Sequence, residues 1–188
     1  MSFAAELLAV SPEARDAWLD RFLGFEDALP VDDRLAPGLV PYMPCGVGTL
    51  LSMIEHAGVT KDDVFVDIGC GIGRPMAVVH SMTGARTIGV EIQPHLASRA
   101  RDLAQRLGAP LEVIEGDATK LVSSLRAGTV FFLYCPFSGD RLDRFVDELE
   151  PIARAHPIRI CAVDVPLPRR EWLVPGHTSR DLEICRST

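Results

Sequence analysis

Three alternating glycines follow an apolar run in the segment VFVDIGCGIGRP, residues 64–75. The run ends in Asp67, and Gly69, Gly71 and Gly73 come directly after it. Because glycine has no Cβ, a turn of this kind lets the backbone approach a bound molecule closely. A strand, a glycine turn and a helix in this order are typical of cofactor sites, although such a turn can also serve only to pack a strand against a helix.

The spacing of the glycines separates the classes of cofactor. In the dinucleotide fingerprint the third glycine follows the second by three places, whereas here it follows by two and Arg74 comes next. This difference disfavours a pyrophosphate on the helix N-terminus, and an NAD-dependent oxidoreductase remains an alternative only if the spacing argument fails. The phosphate-binding P-loop is excluded because no Gly-Lys-Ser/Thr follows the turn.

Two further carboxylates follow later apolar segments. Glu91 ends ARTIGVE, and a carboxylate there can accept hydrogen bonds from both hydroxyls of a ribose. Asp117 lies in EGDA, where it could accept from an adenine amino group. Ile92 would supply an apolar wall for the ring, and Ala118 is small enough to let it lie flat. The alternatives are a glutamate at a helix N-terminus and an aspartate in a turn or cap.

The segment VDIGCGIGR resembles the first motif of class I S-adenosylmethionine-dependent methyltransferases, and the resemblance extends from about residue 42 to the C-terminus. It implies a methyltransferase with S-adenosyl-L-methionine as cofactor and a protein side chain or a small molecule as methyl acceptor. Asp67 would then meet the ammonium of the cofactor's amino-acid tail. The expected cofactor contacts are Asp67, Gly69, Cys70, Gly71, Gly73, Glu91, Ile92, Asp117, Ala118 and Tyr134.

Within that class, residues 42–74 resemble small lysine methyltransferases of the disruptor-of-telomeric-silencing type and the ATP-synthase c-subunit type. These enzymes tend to carry a Tyr-x-Pro-Thr-like stretch; Tyr42 and Pro44 match it, whereas Cys45 stands where threonine is common. The resemblance implies that the segment around Tyr42 folds over the methionine end of the cofactor. A protein lysine is the acceptor that this branch suggests. A small-molecule methyltransferase and a cofactor-binding protein without turnover remain alternatives.

The sequence does not identify a catalytic base. The fourth strand ends in YCPF, residues 134–137, rather than in the Asn- or Asp-Pro-Pro-aromatic motif, which disfavours methylation of a nucleobase or a glutamine. Tyr134 and Tyr42 are the catalytic candidates, although Tyr134 could equally be a packed aromatic residue. His177 and Asp164 are further candidates for the rim of the site.

Alternating strands and helices must position these residues. Apolar segments that end near residues 68, 91, 115, 134 and 164 are separated by helical segments, such as the one from Pro94 to Gly108. We therefore predict an α/β fold, a doubly wound, mostly parallel Rossmann-like sheet of about seven strands with helices on both faces. EWLVPG and DLEICRS are predicted to form a closing antiparallel pair. Pro151 is predicted to kink or interrupt the helix LDRFVDELEPIARAH.

The 188 residues divide into an N-terminal extension, residues 1–45, and a methyltransferase domain, residues 46–188. The extension mixes helix with proline-rich loop and could act as a lid. Its helix is predicted to begin near Ser11 and to end at Gly24. The buried stripe of this helix would consist of Trp18, Leu19, Phe22 and Leu23.

Composition excludes several classes of partner. The net charge of −7 disfavours nucleic acid as a ligand, and no apolar run has the roughly 20 residues needed to span a bilayer. Five cysteines without a CxxC pair argue against a disulfide framework, and five scattered histidines argue against a zinc site. The N-terminus lacks the features of a secretory signal, so a cytoplasmic location is expected. Oligomeric state cannot be predicted.

Overall fold

The computed structural model describes residues 2–25 and 40–188. Seven strands in these residues form one sheet in the order β3-β2-β1-β4-β5-β7-β6. The strands are β1 Val64–Ile68, β2 Arg86–Glu91, β3 Leu111–Glu115, β4 Val130–Tyr134, β5 Arg159–Val163, β6 Leu173–Thr178 and β7 Leu182–Ser187. All neighbouring strands are parallel except that β7 runs antiparallel to β5 and β6. This confirms the predicted mostly parallel sheet with its closing antiparallel pair.

Helices cover both faces of the sheet. They are α1 Phe3–Ala9, α2 Arg15–Leu23, α3 Val47–Ala57, α4 Arg74–Thr83, α5 Pro94–Leu107, α6 Ala118–Leu121 and α7 Asp140–Ala155, with short 3-10 turns at Pro12–Ala14 and Val122–Leu125. Buried side chains of α1 to α5 share one core with Phe65 and Phe132, whereas those of α6 and α7 share a second with Val66 and Phe131. Neighbouring residues of one strand belong to different cores because successive side chains of a strand point to opposite faces of the sheet.

The N-terminal extension packs on the first of these cores. Leu19 and Leu23 of α2 are buried, as their spacing predicted, and Gly24 ends the helix with a left-handed φ of +67°. Phe22 is 45% exposed and stacks on Trp18 with ring centroids 5.2 Å apart, so its predicted burial is wrong. The part of the predicted lid at residues 26–39 lies outside the described residues.

Helix α7 runs through Pro151 without interruption, so of the two predicted outcomes, a kink or an interruption, the interruption is wrong. Proline removes one N–H and frees the carbonyl four residues earlier, which belongs to Asp147. Both residues lie on the exposed face of the helix, so water can hydrate the freed carbonyl. The buried residues of α7 keep their helical spacing on the opposite face.

Within residues 2–25 and 40–188, no helix combines the length and apolar character that crossing a membrane requires. The same residues bring together no group of three or more His, Cys, Asp or Glu side chains that could hold a metal ion. All five cysteines are free thiols.

Candidate active site

The predicted site residues meet at the carboxyl edge of the sheet. Asp67 is the second-last residue of β1, Glu91 ends β2, and Tyr134 ends β4. Asp117 comes two residues after β3 and begins α6. The strand order reverses between β1 and β4, and in open α/β sheets ligands bind in the crevice at this reversal.

The glycine turn has a left-handed backbone at all three glycines. Their φ angles are +79° at Gly69, +55° at Gly71 and +85° at Gly73, a region that L-residues with a Cβ rarely adopt. The N–H groups of Gly69 and Cys70 both donate to the Val90 carbonyl, at 2.8 and 3.1 Å. These bonds hold the turn against the end of β2.

Glu91 holds the glycine turn from the side of β2. It is 4% exposed, and its Oε2 accepts from the Gly71 N–H at 2.9 Å while Oε1 accepts from the Gln93 N–H at 2.8 Å. Each carboxylate oxygen has a second lone pair, so two further hydrogen bonds can form. The bond between Gly71 and Glu91 could not be predicted from the sequence. It joins the segments at the ends of two strands, and only the folded sheet sets the register of these strands.

Asp67 carries an unsatisfied buried oxygen. The residue is 1% exposed, and its Oδ2 has no hydrogen-bond partner among the described residues. Burial, with Glu91 nearby as a second cause, raises the pKa of Asp67 well above its usual range. A buried polar group without a partner is costly, so this oxygen fits a site whose ligand brings a donor or a positive charge. The ammonium of S-adenosyl-L-methionine is such a group.

Cys70 contributes its backbone rather than its thiol to the turn. Its Sγ packs in the core, where a Cβ built on Gly89 would lie 2.6 Å from it and 2.4 Å from Met76 Sδ. Burial, assisted by Asp67 and Glu91, raises the pKa of the Cys70 thiol. A neutral buried thiol is a poor nucleophile.

Tyr42 lies directly on the glycine turn. A Cβ built on Gly71 would be 2.4 Å from Tyr42 Cε2. The Tyr42 ring therefore occupies the space that the side chain of any residue other than glycine would need at position 71. Burial raises the pKa of the Tyr42 hydroxyl, which keeps it neutral. A cleft of about 530 Å³ opens beside the ring. Its lining residues are Val40, Pro41, Tyr42, Met43, Gly69, Glu91, Ile92, Gln93, Leu96, Tyr134 and Pro136.

An adjoining cleft of about 280 Å³ shares Gly69, Ile92 and Pro136 with the first and is lined further by Ala118 and Phe137. Ile92 and Ala118 therefore line one apolar recess, as an adenine site would require. Together the two clefts combine apolar residues with a few polar groups, the mixed lining that is usual in small-molecule sites.

Asp117 at the edge of this recess is both a helix cap and an ion-pair partner. Its Oδ1 accepts from the Thr119 N–H at 3.1 Å, from the Thr119 hydroxyl at 2.8 Å and from the Arg141 guanidinium at 2.7 Å. Burial alone would raise the pKa of Asp117, but these bonds outweigh it and lower the pKa. Arg141, which lies over the Phe137 ring at 5.3 Å, was not anticipated from the sequence.

The ends of β4 and β5 carry unusual backbone. Cys135 and Asp164 have φ angles of +45° and +54°, which are rare for residues other than glycine. Tyr134 pairs with Val163, so Asp164 adjoins it, and burial, with Cys45 and Asp164 as further causes, raises the pKa of the Tyr134 hydroxyl. His177, the other residue predicted at the rim, stacks instead on His56 of α3 with ring centroids 3.8 Å apart.

Comparisons with known proteins agree with this geometry. An RNA methyltransferase from Salinibacter ruber, crystallised in complex with S-adenosylhomocysteine, superposes with a TM-score of 0.59 at 26% identity over 77% of this chain and 92% of that chain. A sterol 24-C-methyltransferase of Kluyveromyces lactis is 31% identical over 67 residues, 35% of this chain. The H3 lysine-79-specific histone-lysine N-methyltransferase of Dictyostelium discoideum is 35% identical over 86 residues, 43% of this chain. The matches span only 18% and 5% of these two relatives' lengths.

The model of one protein family, described as a methyltransferase domain, matches residues 65–164. The match runs from β1 to the end of β5 and so includes the glycine turn and the strand ends that line both clefts. It also confirms the predicted cofactor, S-adenosyl-L-methionine. The chain belongs to the methyltransferase domain family.

Proposed function

We propose that this chain is an S-adenosylmethionine-dependent methyltransferase whose acceptor is an amine, with a protein lysine side chain as the leading choice. The observation that carries the proposal is the unpartnered buried oxygen of Asp67 beside a left-handed glycine turn. A cationic amino-acid tail satisfies that oxygen, whereas a phosphate would be repelled by it.

Each part of the cofactor has a matching group on the chain. Asp67 would hold the ammonium, the remaining lone pairs of Glu91 would accept from the ribose hydroxyls, and Ile92 and Ala118 would enclose the adenine. Asp117 would accept from the adenine amino group through Oδ2, since Oδ1 already has three donors. Gly69 and Gly71 would admit the tail against bare backbone, whereas a Cβ on Gly73 would face Ala100 and Leu103 of α5.

The bound cofactor supplies an electrophilic methyl group on a sulfonium, whose departure needs no acid. The chain's task is therefore to orient the nucleophile and exclude water, which can contribute roughly 7–11 kcal/mol to lowering the barrier. Tyr42 and Tyr134 face the same cleft and would form the walls of the acceptor channel. Both hydroxyls have raised pKa values, so they remain neutral and can donate hydrogen bonds without attacking the methyl group.

A carboxylate beside Tyr134 favours an amine acceptor. Asp164 is exposed beside Tyr134, and the chain as a whole carries a net charge of −7. A carboxylate near the cleft attracts a protonated amine and can receive the proton that the amine must lose before it attacks. The histone-lysine relative supports a lysine acceptor. The sterol and RNA relatives support the alternatives of a small molecule or RNA, and a protein that binds the cofactor without turnover is the non-catalytic alternative.

A labelling experiment tests the proposed reaction. The protein is incubated with methyl-labelled S-adenosyl-L-methionine and a cell lysate, and the label is measured separately in protein, RNA and small-molecule fractions. We expect label in protein, released as methyllysine on acid hydrolysis, and much less label with Asp67→Asn at a cofactor concentration near the wild-type Kd. Label confined to RNA or to small molecules contradicts the lysine acceptor, and no transfer to any fraction contradicts catalysis.

Replacing Glu91 by alanine should weaken the binding of S-adenosylhomocysteine by about 1–3 kcal/mol. The variant loses the acceptors for the ribose and leaves the Gly71 N–H without its partner. Isothermal titration calorimetry measures the change. The matched control is Glu115→Ala, because Glu115 ends the neighbouring strand directly opposite Glu91 but is exposed. Equal affinity in the Glu91 variant and the wild type contradicts the placement of the ribose.

A further inference from the structure

Arg74 is a charged side chain buried at the cofactor motif that the proposed chemistry does not use. It is the first residue of α4, directly after Gly73, and is 2% exposed. Its guanidinium forms ion pairs with Asp16 and Asp20, which lie one turn apart on α2. The glycine turn is thus joined to the N-terminal extension by two charge-assisted contacts, in which the guanidinium is buried and the two carboxylates are partly exposed.

The same network reaches the segment that carries Tyr42. Asp16 Oδ1 also accepts from the Val47 N–H at 3.0 Å, at the start of α3. That segment leads from Tyr42 into α3, and the Tyr42 ring lies on Gly71. Arg74 and Asp20 are also close enough to Tyr42 to affect the pKa of its hydroxyl. Helix α2, the glycine turn and Tyr42 are therefore held in one arrangement by one guanidinium.

Stability alone gives a weak reason for such a network. Well-packed hydrophobic residues of similar volume often stabilise a protein as well as a buried ion pair does, whereas an ion pair fixes one geometry through directed hydrogen bonds. A fixed geometry matters most where backbone must approach a ligand closely, as at Gly71.

We propose that Arg74 is a positioning residue for cofactor binding. Together with Asp16 and Asp20 it fixes α2 and Tyr42 against the glycine turn, so that α2 contributes to the cofactor site without touching the cofactor. The proposal rests on the proposed function because it requires that the site binds the cofactor. It does not depend on which acceptor is methylated. Because coupling between sites is reciprocal, the bound cofactor must also stabilise α2.

The test compares two arginine–aspartate ion pairs, one at the carboxyl ends of the strands and one at their amino ends. Arg74→Met removes the first pair, and Arg159→Met removes the second, in which Arg159 binds Asp63 just before β1. Calorimetry measures the Kd for S-adenosylhomocysteine, and thermal unfolding measures stability. We expect Arg74→Met to raise Kd by roughly 10- to 100-fold, whereas Arg159→Met lowers the unfolding temperature with Kd within about twofold of wild type.

Hydrogen exchange supplies a readout that a purely structural role would not change. In the wild type, S-adenosylhomocysteine should increase the protection of the amides of α2, and in Arg74→Met this increase should be lost. If Arg74→Met fails to fold, Asp20→Asn replaces it as the test variant, because it removes the charge of only one, partly exposed, partner of Arg74. We expect this variant to raise Kd about fivefold. Wild-type affinity in the Arg74 and Asp20 variants, or an equal loss in Arg159→Met, overturns the proposal. If the wild type itself fails to bind, the proposed function is wrong instead.

Discussion

Asp67→Asn is expected to stabilise the unliganded protein at neutral pH and to weaken its binding of S-adenosylhomocysteine at the same time. Asparagine has the same shape but carries no charge, so the cost of a buried unpaired carboxylate, about 1–3 kcal/mol, is removed. The charge-assisted bond to the ligand ammonium is also lost, which corresponds to a roughly 10- to 100-fold rise in Kd. Thermal unfolding and calorimetry measure the two effects.

The pH dependence of stability provides an independent check on Asp67. Its pKa is raised in the folded protein, so the folded state binds more protons than the unfolded state at pH values above the unfolded pKa of about 4. The contribution of this carboxyl to stability therefore falls as the pH rises from there through the folded pKa. Asp67→Asn should lack this fall. The exposed Asp62→Asn, whose side chain is 79% accessible, should change neither stability nor affinity. A destabilised Asp67→Asn, or one with wild-type affinity, contradicts the assigned role.

Gly71→Ala is expected to abolish cofactor binding, with a rise in Kd of more than about 100-fold. An alanine at φ +55° carries a strain of roughly 1–2 kcal/mol, and its Cβ would lie 2.4 Å from the Tyr42 ring. The clash must displace either the Tyr42 ring or the backbone of residue 71, whose N–H donates a hydrogen bond to Glu91. Calorimetry with S-adenosylhomocysteine measures the loss.

A matched glycine separates the clash from the backbone strain. Gly58, which follows α3, has a φ of +64°, and no described atom lies within 4 Å of a Cβ built there. Gly58→Ala should therefore lose about 1 kcal/mol of stability and keep its affinity within about twofold. The double variant Gly71→Ala/Tyr42→Ala should regain part of the lost affinity if the ring causes the effect. If Gly71→Ala and Gly58→Ala bind equally well, the turn does not contact the cofactor.

The strands and their carboxylates could be predicted because they depend on local sequence. An apolar run bounded by a turn predicts β1 as Val64–Ile68, and Pro94 and Gly108 predict the limits of α5. The carboxyl ends of parallel strands share one edge of a sheet, so Asp67 and Glu91 had to lie near each other. The positions of Ile92 and Ala118 follow from the same rule.

Contacts between distant segments could not be predicted in this way. Arg74 was noted only as a departure from the dinucleotide pattern, since its partners Asp16 and Asp20 lie on a helix 54 or more residues earlier in the chain. The ion pair of Arg141 with Asp117 depends likewise on how α7 packs beside α6. Phe22 fits a helical apolar stripe, but the stripe is wider than the surface that the core covers.

The placement on which the proposed function depends most is that of S-adenosyl-L-methionine at the carboxyl ends of β1, β2 and β3. A crystal structure of the protein grown with S-adenosylhomocysteine tests it most directly. We expect the ligand amino group within hydrogen-bond distance of Asp67, the ribose hydroxyls at Glu91, and the adenine between Ile92 and Ala118. A ligand seated elsewhere, or an Asp67 carboxylate that remains without a partner in the complex, would contradict it.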